Sequence, residues 1–288
     1  MLVDGRGVDG AVRARSLAGR DLPAVQRLLA AQPVSSCAIA ARVEAAETDQ
    51  RELGGELWGL GDPLRAVCFA GANLVPAGTV DVADVAAHAF ADRALRQGRR
   101  CSSIVGPAAD VRALWTLLEP RWGPARLIRE SQPLLAIDHP PLVRSDPEVR
   151  RATLLDLDIL MPACVRMFTD EIGVSPLGTD GGSMYRERVR ELIISGRSFV
   201  RVEGGEVIFK ADLGAVSRAA CQLQGVWVAP GRRGRGVGAA ATAAVTDISL
   251  REVAPVVSLY VNDFNRAARA AYSRVGFRQV GEFASVMF

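Results

Sequence analysis

Gln224-Gly-Val-Trp-Val-Ala-Pro-Gly-Arg-Arg-Gly-Arg-Gly-Val-Gly238 is the stretch on which the reading of this chain turns. Gly225 to Ala229 is a short apolar run with β-branched and aromatic residues, which reads as a strand. Pro230 and Gly231 end it, because proline offers no ladder donor and glycine permits a turn. Arg232 to Gly238 then alternates arginine with glycine ahead of an alanine-rich helix expected to run to about Arg251. A glycine loop entering a helix gathers unpaired backbone N–H groups at the positive end of the helix dipole. Such a place suits an anion, a diphosphate above all. A glycine-softened helix entry with solvated arginines is the plainer alternative. Three arginines (Arg232, Arg233, Arg235) interleaved with Gly234, Gly236 and Gly238 favour the anion site.

Two familiar phosphate loops do not fit. No Gly-Lys-Ser/Thr follows, so this is not a P-loop. A dinucleotide pattern can be forced onto Gly234, Gly236 and Ala239, but Pro230 and two arginines separate it from its strand, and that turn normally opens a fold. The strand, arginine-rich loop and helix instead resemble the acetyl-CoA pyrophosphate loop of the GNAT acyltransferases. Their motif Arg/Gln-x-x-Gly-x-Gly/Ala reads here as Arg233-Gly234-Arg235-Gly236-Val237-Gly238. The resemblance continues downstream. Pro255 to Val261 reads as another strand, and Asn262 to Phe277 is similar to the GNAT segment in which an Asn opens a helix beside CoA and a Tyr follows two turns later, before Gly-Phe. Asn265, Ala268 or Arg269, and Tyr272 recur at helical intervals, so Asn and Tyr are expected on one face, with Ala267, Ala271 and Val275 on a separate apolar face.

From its beginning, the chain has 288 residues, 49% hydrophobic and 23% charged, enough for a sizeable core and suggestive of two domains. The net charge of +3 comes almost wholly from arginine, Lys210 being the only lysine. No basic tract or aromatic–basic alternation points to nucleic acid. The first ten residues lack the apolar core of a signal peptide and no apolar run reaches membrane length, so a cytoplasmic protein is expected. The five cysteines (Cys37, Cys68, Cys101, Cys164, Cys221) are scattered and odd in number, which argues for buried, reduced thiols. Cys221 near the presumed cofactor strand could carry an acyl group, but nothing nearby supplies a histidine base. His88 and His139 stand far from the motif, and no metal site is expected.

In the first half the expected elements are a helix from Asp21 to Gln32, a helix from Cys37 to Asp49, paired strands at Gly55–Leu60 and Leu64–Phe69, and a helix from Val82 to Gly98. A strand at Ser102–Val105, a helix at Ala109–Leu118 and a strand at Arg126–Ile137 with a bend at Pro133 follow. This order resembles that of the second half. Pro76-Ala-Gly-Thr-Val-Asp81 stands where the Arg/Gly loop would be, and an acid at the helix entry would repel a diphosphate. The reading is α/β (α+β): two GNAT-like units, each a mixed, mostly antiparallel sheet flanked by helices, similar in arrangement to the mycothiol-synthase-like tandem members of the family. Residues 1–138 form the degenerate or accessory unit, the proline-rich 139–147 the linker, and 148–288 the N-acetyltransferase unit. An unrelated α/β domain with the same rhythm is the alternative for the first half.

After the linker, a strand near Val149–Thr153, helices at Leu155–Phe168 and Asp180–Ser195, a Gly-Gly hairpin (Ser198–Val202 and Val207–Ala211) and the strand Ala219–Ala229 are expected. By resemblance, the two helices flank the acceptor cleft. The backbone of Val226, Trp227 and Val228 would hold the pantetheine arm and polarise the thioester. The loop Arg233 to Gly238, with Asn265 and Ala268, would hold the cofactor, and Tyr272 would protonate the departing thiolate. Acetyl-CoA is thus the implied co-substrate and a small-molecule or peptide amine the acceptor. The family often draws its base from an acid on the cofactor strand, where this chain has Gln222 and Gln224. Asp170, Glu171 and Asp212 remain as candidates, or an amine that arrives neutral. The acidic, glycine-rich run from Phe168 to Gly182 could clamp a cationic acceptor or simply connect two helices. Lys210 reads as a salt-bridge partner rather than an acylation target. A module that binds acyl-CoA without turnover is the alternative function.

Overall fold

The computed structural model describes residues 13–47, 53–178 and 181–288. Met1–Gly10, the helix end expected at Asp49 and the helix start expected at Asp180 lie outside them. In chain order the elements are β1 (Arg15–Ser16), α1 (Leu22–Ala30), α2 (Cys37–Ala46), β2 (Gly55–Leu60), β3 (Ala66–Gly71), β4 (Asn73–Ala77), α3 (Ala83–Gln97), β5 (Ser103–Pro107), α4 (Ala108–Trp122) and β6 (Leu127–Ile137). There follow β7 (Arg150–Arg151), α5 (Leu157–Ile172), α6 (Ser183–Ile194), β8 (Ser198–Glu203), β9 (Glu206–Val216), β10 (Cys221–Val228), α7 (Val237–Glu252), β11 (Val257–Tyr260), α8 (Arg266–Val275) and β12 (Arg278–Met287).

These elements form two compact units that are not contiguous pieces of chain. The first holds Ala45–Glu130, Phe283–Phe288 and the described residues up to Gln32; the second holds Pro33–Glu44 and Ser131–Glu282. The sequence reading, with its single boundary in 139–147, has no counterpart to this interleaving.

In the first unit β1 to β4 pair in antiparallel order, and β4 pairs parallel with β5 through Asn73–Ser103 and Leu74–Ile104. The next strand is the C-terminal end of β12, antiparallel to β5 from Phe283–Pro107 to Met287–Ser103. Trp58, Phe90, Ile104, Leu114, Leu118 and Val286 are among the buried side chains between this sheet and α3 and α4. Where the second half has its Arg/Gly loop, Thr79 here hydrogen-bonds Asp110, and both are buried. The hollow lined by Pro76, Thr79, Ala83, Phe90 and Asp110 has no volume that a water could occupy. Burial raises the Asp110 carboxyl above its ordinary pKa, the Thr79 hydrogen bond opposing it.

In the second unit β7, β8, β9 and β10 are antiparallel neighbours, and β11 lies parallel to β10. The far side of β11 is taken by β6, antiparallel from Val257–Ile137 to Tyr260–Leu134. Each unit therefore completes its sheet with a strand encoded next to the other. One sheet face carries Phe199, Phe209, Leu213, Cys221 and Leu223 against α7 and α8. The other carries Val200, Val207 and Trp227 against α5 and α6. Alanines 239, 241, 243 and 244 of α7 are buried, and their small side chains let that helix lie close to the sheet. Gly173, in the left-handed region, closes α5, so Phe168 to Ile172 are helical rather than part of a loop.

The expected linker is packed. Leu142 N–H donates to Val275 O (2.9 Å), Asp146 N–H donates to Ala240 O (3.0 Å), and Arg201 pairs with Asp146 at 2.7 Å. Helix α2 also belongs to this unit: the Cys37 thiol donates to Ala220 O at 3.2 Å beside Ala215 and Val256. β9 runs unbroken through Gly214, where the Gln224 side chain takes the space a Cβ would need. Two further differences have local causes. β4 escapes the sequence reading because proline and glycine mark its end as a turn. β12 lies beyond the Gly-Phe ending, where the motif stops.

A fragment spanning 148–288 lacks Pro33–Glu44 and β6 and leaves one edge of β11 unpaired. We expect it to show no cooperative thermal unfolding by circular dichroism. A sharp transition near that of the intact chain would contradict the interleaved units.

Candidate active site

The site is organised by a short parallel ladder and a bulge. β10 pairs with β11 only through Cys221–Val257 and Gln222–Ser258, yet runs on to Val228. Against β9, Gln224 faces Asp212 and Trp227 faces Lys210, so Gly225 and Val226 together oppose Ala211. That two-against-one count is a β-bulge. Its first residue, Gly225, has φ +56°, which only glycine adopts without strain. Beyond the bulge Ala229 N–H donates to Ile208 O of β9 at 2.9 Å. By the alternation of a strand, the N–H and C=O of Val228 face the open side, while Val226 lies within the bulge beside it. Arg233 confirms the direction, its Nε donating to Val228 O at 3.0 Å.

The loop continues from this open edge. Gly234 and Gly236 have φ of +74° and +82°, and a Cβ on either would meet nothing within 4 Å. Helix α7 starts at Val237 with no side-chain cap, and its first closing bond is Ala240 N–H to Gly236 O at 3.2 Å. The N–H groups of Val237, Gly238 and Ala239 are therefore presented without an intrahelical partner at the positive helix end. Gly238 serves packing: a Cβ there would stand 3.3 Å from a Val228 methyl. The three arginines are not equivalent. Arg232 is held in an ion pair with Glu203, Arg233 lies 3.7 Å from Asp170, and Arg235 is exposed without an ion pair among the described residues. Open glycines, uncapped donors and Arg233 with Arg235 fit a diphosphate, and the free strand edge fits an amide-bearing arm.

Helix α8 departs from the sequence reading. Asn265 is its cap, the side-chain oxygen accepting from Ala268 N–H at 3.2 Å. Ala267 is exposed, whereas Ala268, Ala271, Tyr272 and Val275 face the core. Tyr272 thus lies on the apolar face, apart from exposed Asn265, with its ring edge-on to Phe277 at 5.9 Å. Burial, then the charge of Glu171, push its phenol above the ordinary value. It stays protonated at any working pH.

On the opposite sheet face the candidate bases are differently occupied. Asp212 accepts from Ser198 Oγ at 2.8 Å and is ion-paired to Lys210, which is 1% exposed. Tyr185 Oη donates to Cys164 O at 3.0 Å, and Phe168 packs edge-on to Tyr185 at 5.6 Å. Burial raises the thiols of Cys164 to about 11 and Cys221 to about 12, which leaves both poor nucleophiles. Among the described residues no group of three His, Cys, Asp or Glu is disposed to hold a metal. No helix among them is long and apolar enough to cross a membrane.

With this geometry established, the comparisons with known proteins are direct. Residues 175–277 match the acetyltransferase (GNAT) family model, and residues 55–160 match a domain of unknown function, DUF4081. A GCN5-related N-acetyltransferase from Sphaerobacter thermophilus is similar in structure, with TM-score 0.59, 18% identity, and 97% of this chain and 96% of that one covered. A GNAT-family acetyltransferase from Colwellia psychrerythraea gives 0.54 at 12% identity over 96% and 99% of the two chains. A tandem GNAT protein from the clavulanic acid biosynthesis pathway gives 0.53 at 14% identity over 96% and 98%. No curated protein matches the sequence. The fold is that of the tandem GNAT proteins. Residues 175–277 thus carry a match to the acetyltransferase (GNAT) family within a chain of tandem-GNAT fold, and the DUF4081 match covers most of the first unit.

Gly225→Ala places a Cβ in the left-handed region and within 3.0 Å of Lys210 Nζ. We expect a loss of about 2 kcal/mol in denaturant unfolding. Gly231→Ala, where a Cβ meets nothing within 4 Å, should stay within about 0.5 kcal/mol. Equal effects would refute the bulge constraint.

Proposed function

We propose that the chain is an acetyl-CoA-dependent N-acyltransferase whose second unit transfers an acetyl group directly to a primary amine. The observation that carries this is the coincidence, at one end of β10, of an unpaired strand edge and an uncapped glycine–arginine helix entry. The family match and the fold support acyl-CoA chemistry in general. Arg233, Gly234, Arg235, Gly236, Val237 and Gly238 would hold the diphosphate, and the edge of Val226, Trp227 and Val228 the pantetheine arm. Ala268 would line that channel, while Asn265 contributes by capping α8.

Acetyl-CoA supplies a thioester whose carbonyl carbon the amine attacks. The chain's part would be to hold that carbonyl against the outward N–H of Val228 and the N–H of Val226 in the bulge, where negative charge develops. Tyr272, kept protonated, would donate from its phenol to the leaving sulfur. The cleft side of β10 carries Gln222 and Gln224, and Asp212 is neutralised by Lys210. The amine would therefore enter neutral or lose its proton to water.

The same absence of a strand carboxylate favours a second reading, an acyl-CoA-binding module without turnover. Thiol release measured against a panel of small and peptide amines separates the two. The transferase reading predicts amine-dependent release, and for Tyr272→Phe a kcat on the order of 10²-fold lower with acetyl-CoA affinity little changed. Tight binding without release by any amine supports the module; an unchanged kcat in the variant removes Tyr272 from the chemistry.

A further inference from the structure

Lys210, the chain's only lysine, is buried on the α5/α6 face of the second unit and makes its ion pair two residues away on the same strand. Same-strand residues two apart share a face, and between these two on β9 stands Ala211, the residue opposite the β10 bulge. The charged pair thus brackets the bulge. A Cβ at Gly225 would stand 3.0 Å from Lys210 Nζ and 3.2 Å from Asp212 Oδ2, so the bulge backbone rests on the joined charges.

Other groups fix the pair itself. Ser198 Oγ donates to Asp212 Oδ1 at 2.8 Å, and Lys210 also interacts with the Cys164 thiol. Met167 closes the side, its methyl 3.1 Å from the same Cβ position. Burial, the largest single influence, pushes Lys210 down, but the charge and hydrogen bond of Asp212 together with Cys164 and Tyr185 outweigh it and leave the ammonium favoured. Replacing a buried ion pair by apolar residues is often neutral or stabilising, so this pair is not explained by stability alone.

We propose that Lys210 and Asp212 are positioning residues for acyl transfer: their ion pair clamps the Gly225 bulge and thereby aims the Val226 and Val228 N–H groups at the acyl carbonyl. This rests on the assignment of β10 as the acyl-binding strand. The clamp acts through backbone direction and touches neither the diphosphate loop nor Tyr272. Its loss should therefore appear in kcat and in carbonyl polarisation, and not in cofactor affinity.

The test compares wild type with Lys210→Met, Asp212→Asn and the double variant in the full chain. Each single variant leaves one buried charge unpaired and is expected to melt earlier; the double variant should recover most of that loss. Calorimetry gives acetyl-CoA affinity, thiol release gives kcat and KM, and infrared difference spectra of carbonyl-labelled acetyl-CoA report polarisation without turnover. For the double variant we expect affinity within about threefold and kcat at least about tenfold lower, towards the roughly 10²-fold cost of an ångström of misplacement. Its bound carbonyl band should move back towards that of free acetyl-CoA. A double variant with wild-type kcat or, where no amine is acetylated, a wild-type band overturns the proposal. A wild type that shifts the band but acetylates no amine, with the shift lost in the double variant, sinks the transferase reading and supports the clamp. A wild type that binds no acetyl-CoA overturns both.

Discussion

A parallel ladder of two residue pairs is the constraint on which the second unit depends. Cys221 and Gln222 pair with Val257 and Ser258, and β10 then continues with one edge unpaired. An unpaired strand edge leaves its donors and acceptors to water or to a ligand. The bulge at Gly225, the capless start of α7 and the open glycines of the loop all lie along or beyond this edge. On the proposed function, their backbone donors would serve a ligand with amides at one end and phosphates at the other.

The first unit has the same parallel pairing between β4 and β5 and a different outcome. Thr79 and Asp110 fill the helix entry that Gly234 and Gly236 leave open, and the hollow there cannot take a water. The two units both pair a parallel strand beside a helix, while the uncapped helix start with open glycines belongs to the second. Their strands are exchanged, β6 serving the second and the end of β12 the first. Sequence halves and folded units are therefore different divisions of the chain.

Glycine, proline and arginine made the loop legible, since each restricts or extends backbone chemistry in a way that spacing reveals. The hairpin at Gly204-Gly205, α7, and the order of the helices in both halves were readable as well, while β4 and β12 were not. The exchanged strands were not, because strand partnership is long-range and leaves no periodic signal. The face of α8 was misread: its alanines are interchangeable at 3.6 periodicity, and Tyr272 is apolar enough to be drawn inward. Asn265 looked like a ligand contact, but an amide oxygen in that position satisfies a helix N–H first. Lys210 could be seen as an ion-pair partner. That it brackets a bulge on the neighbouring strand could be learned only from register.

Calorimetric titration of the intact chain with acetyl-CoA tests the central claim, that the unpaired edge and open loop of the second unit form the one cofactor site. The account predicts a single site per chain, lost in Gly236→Glu, where a long anionic side chain enters the space left for phosphate, provided thermal unfolding shows that the variant is folded. No heat with wild type, or a second equivalent site, would contradict it.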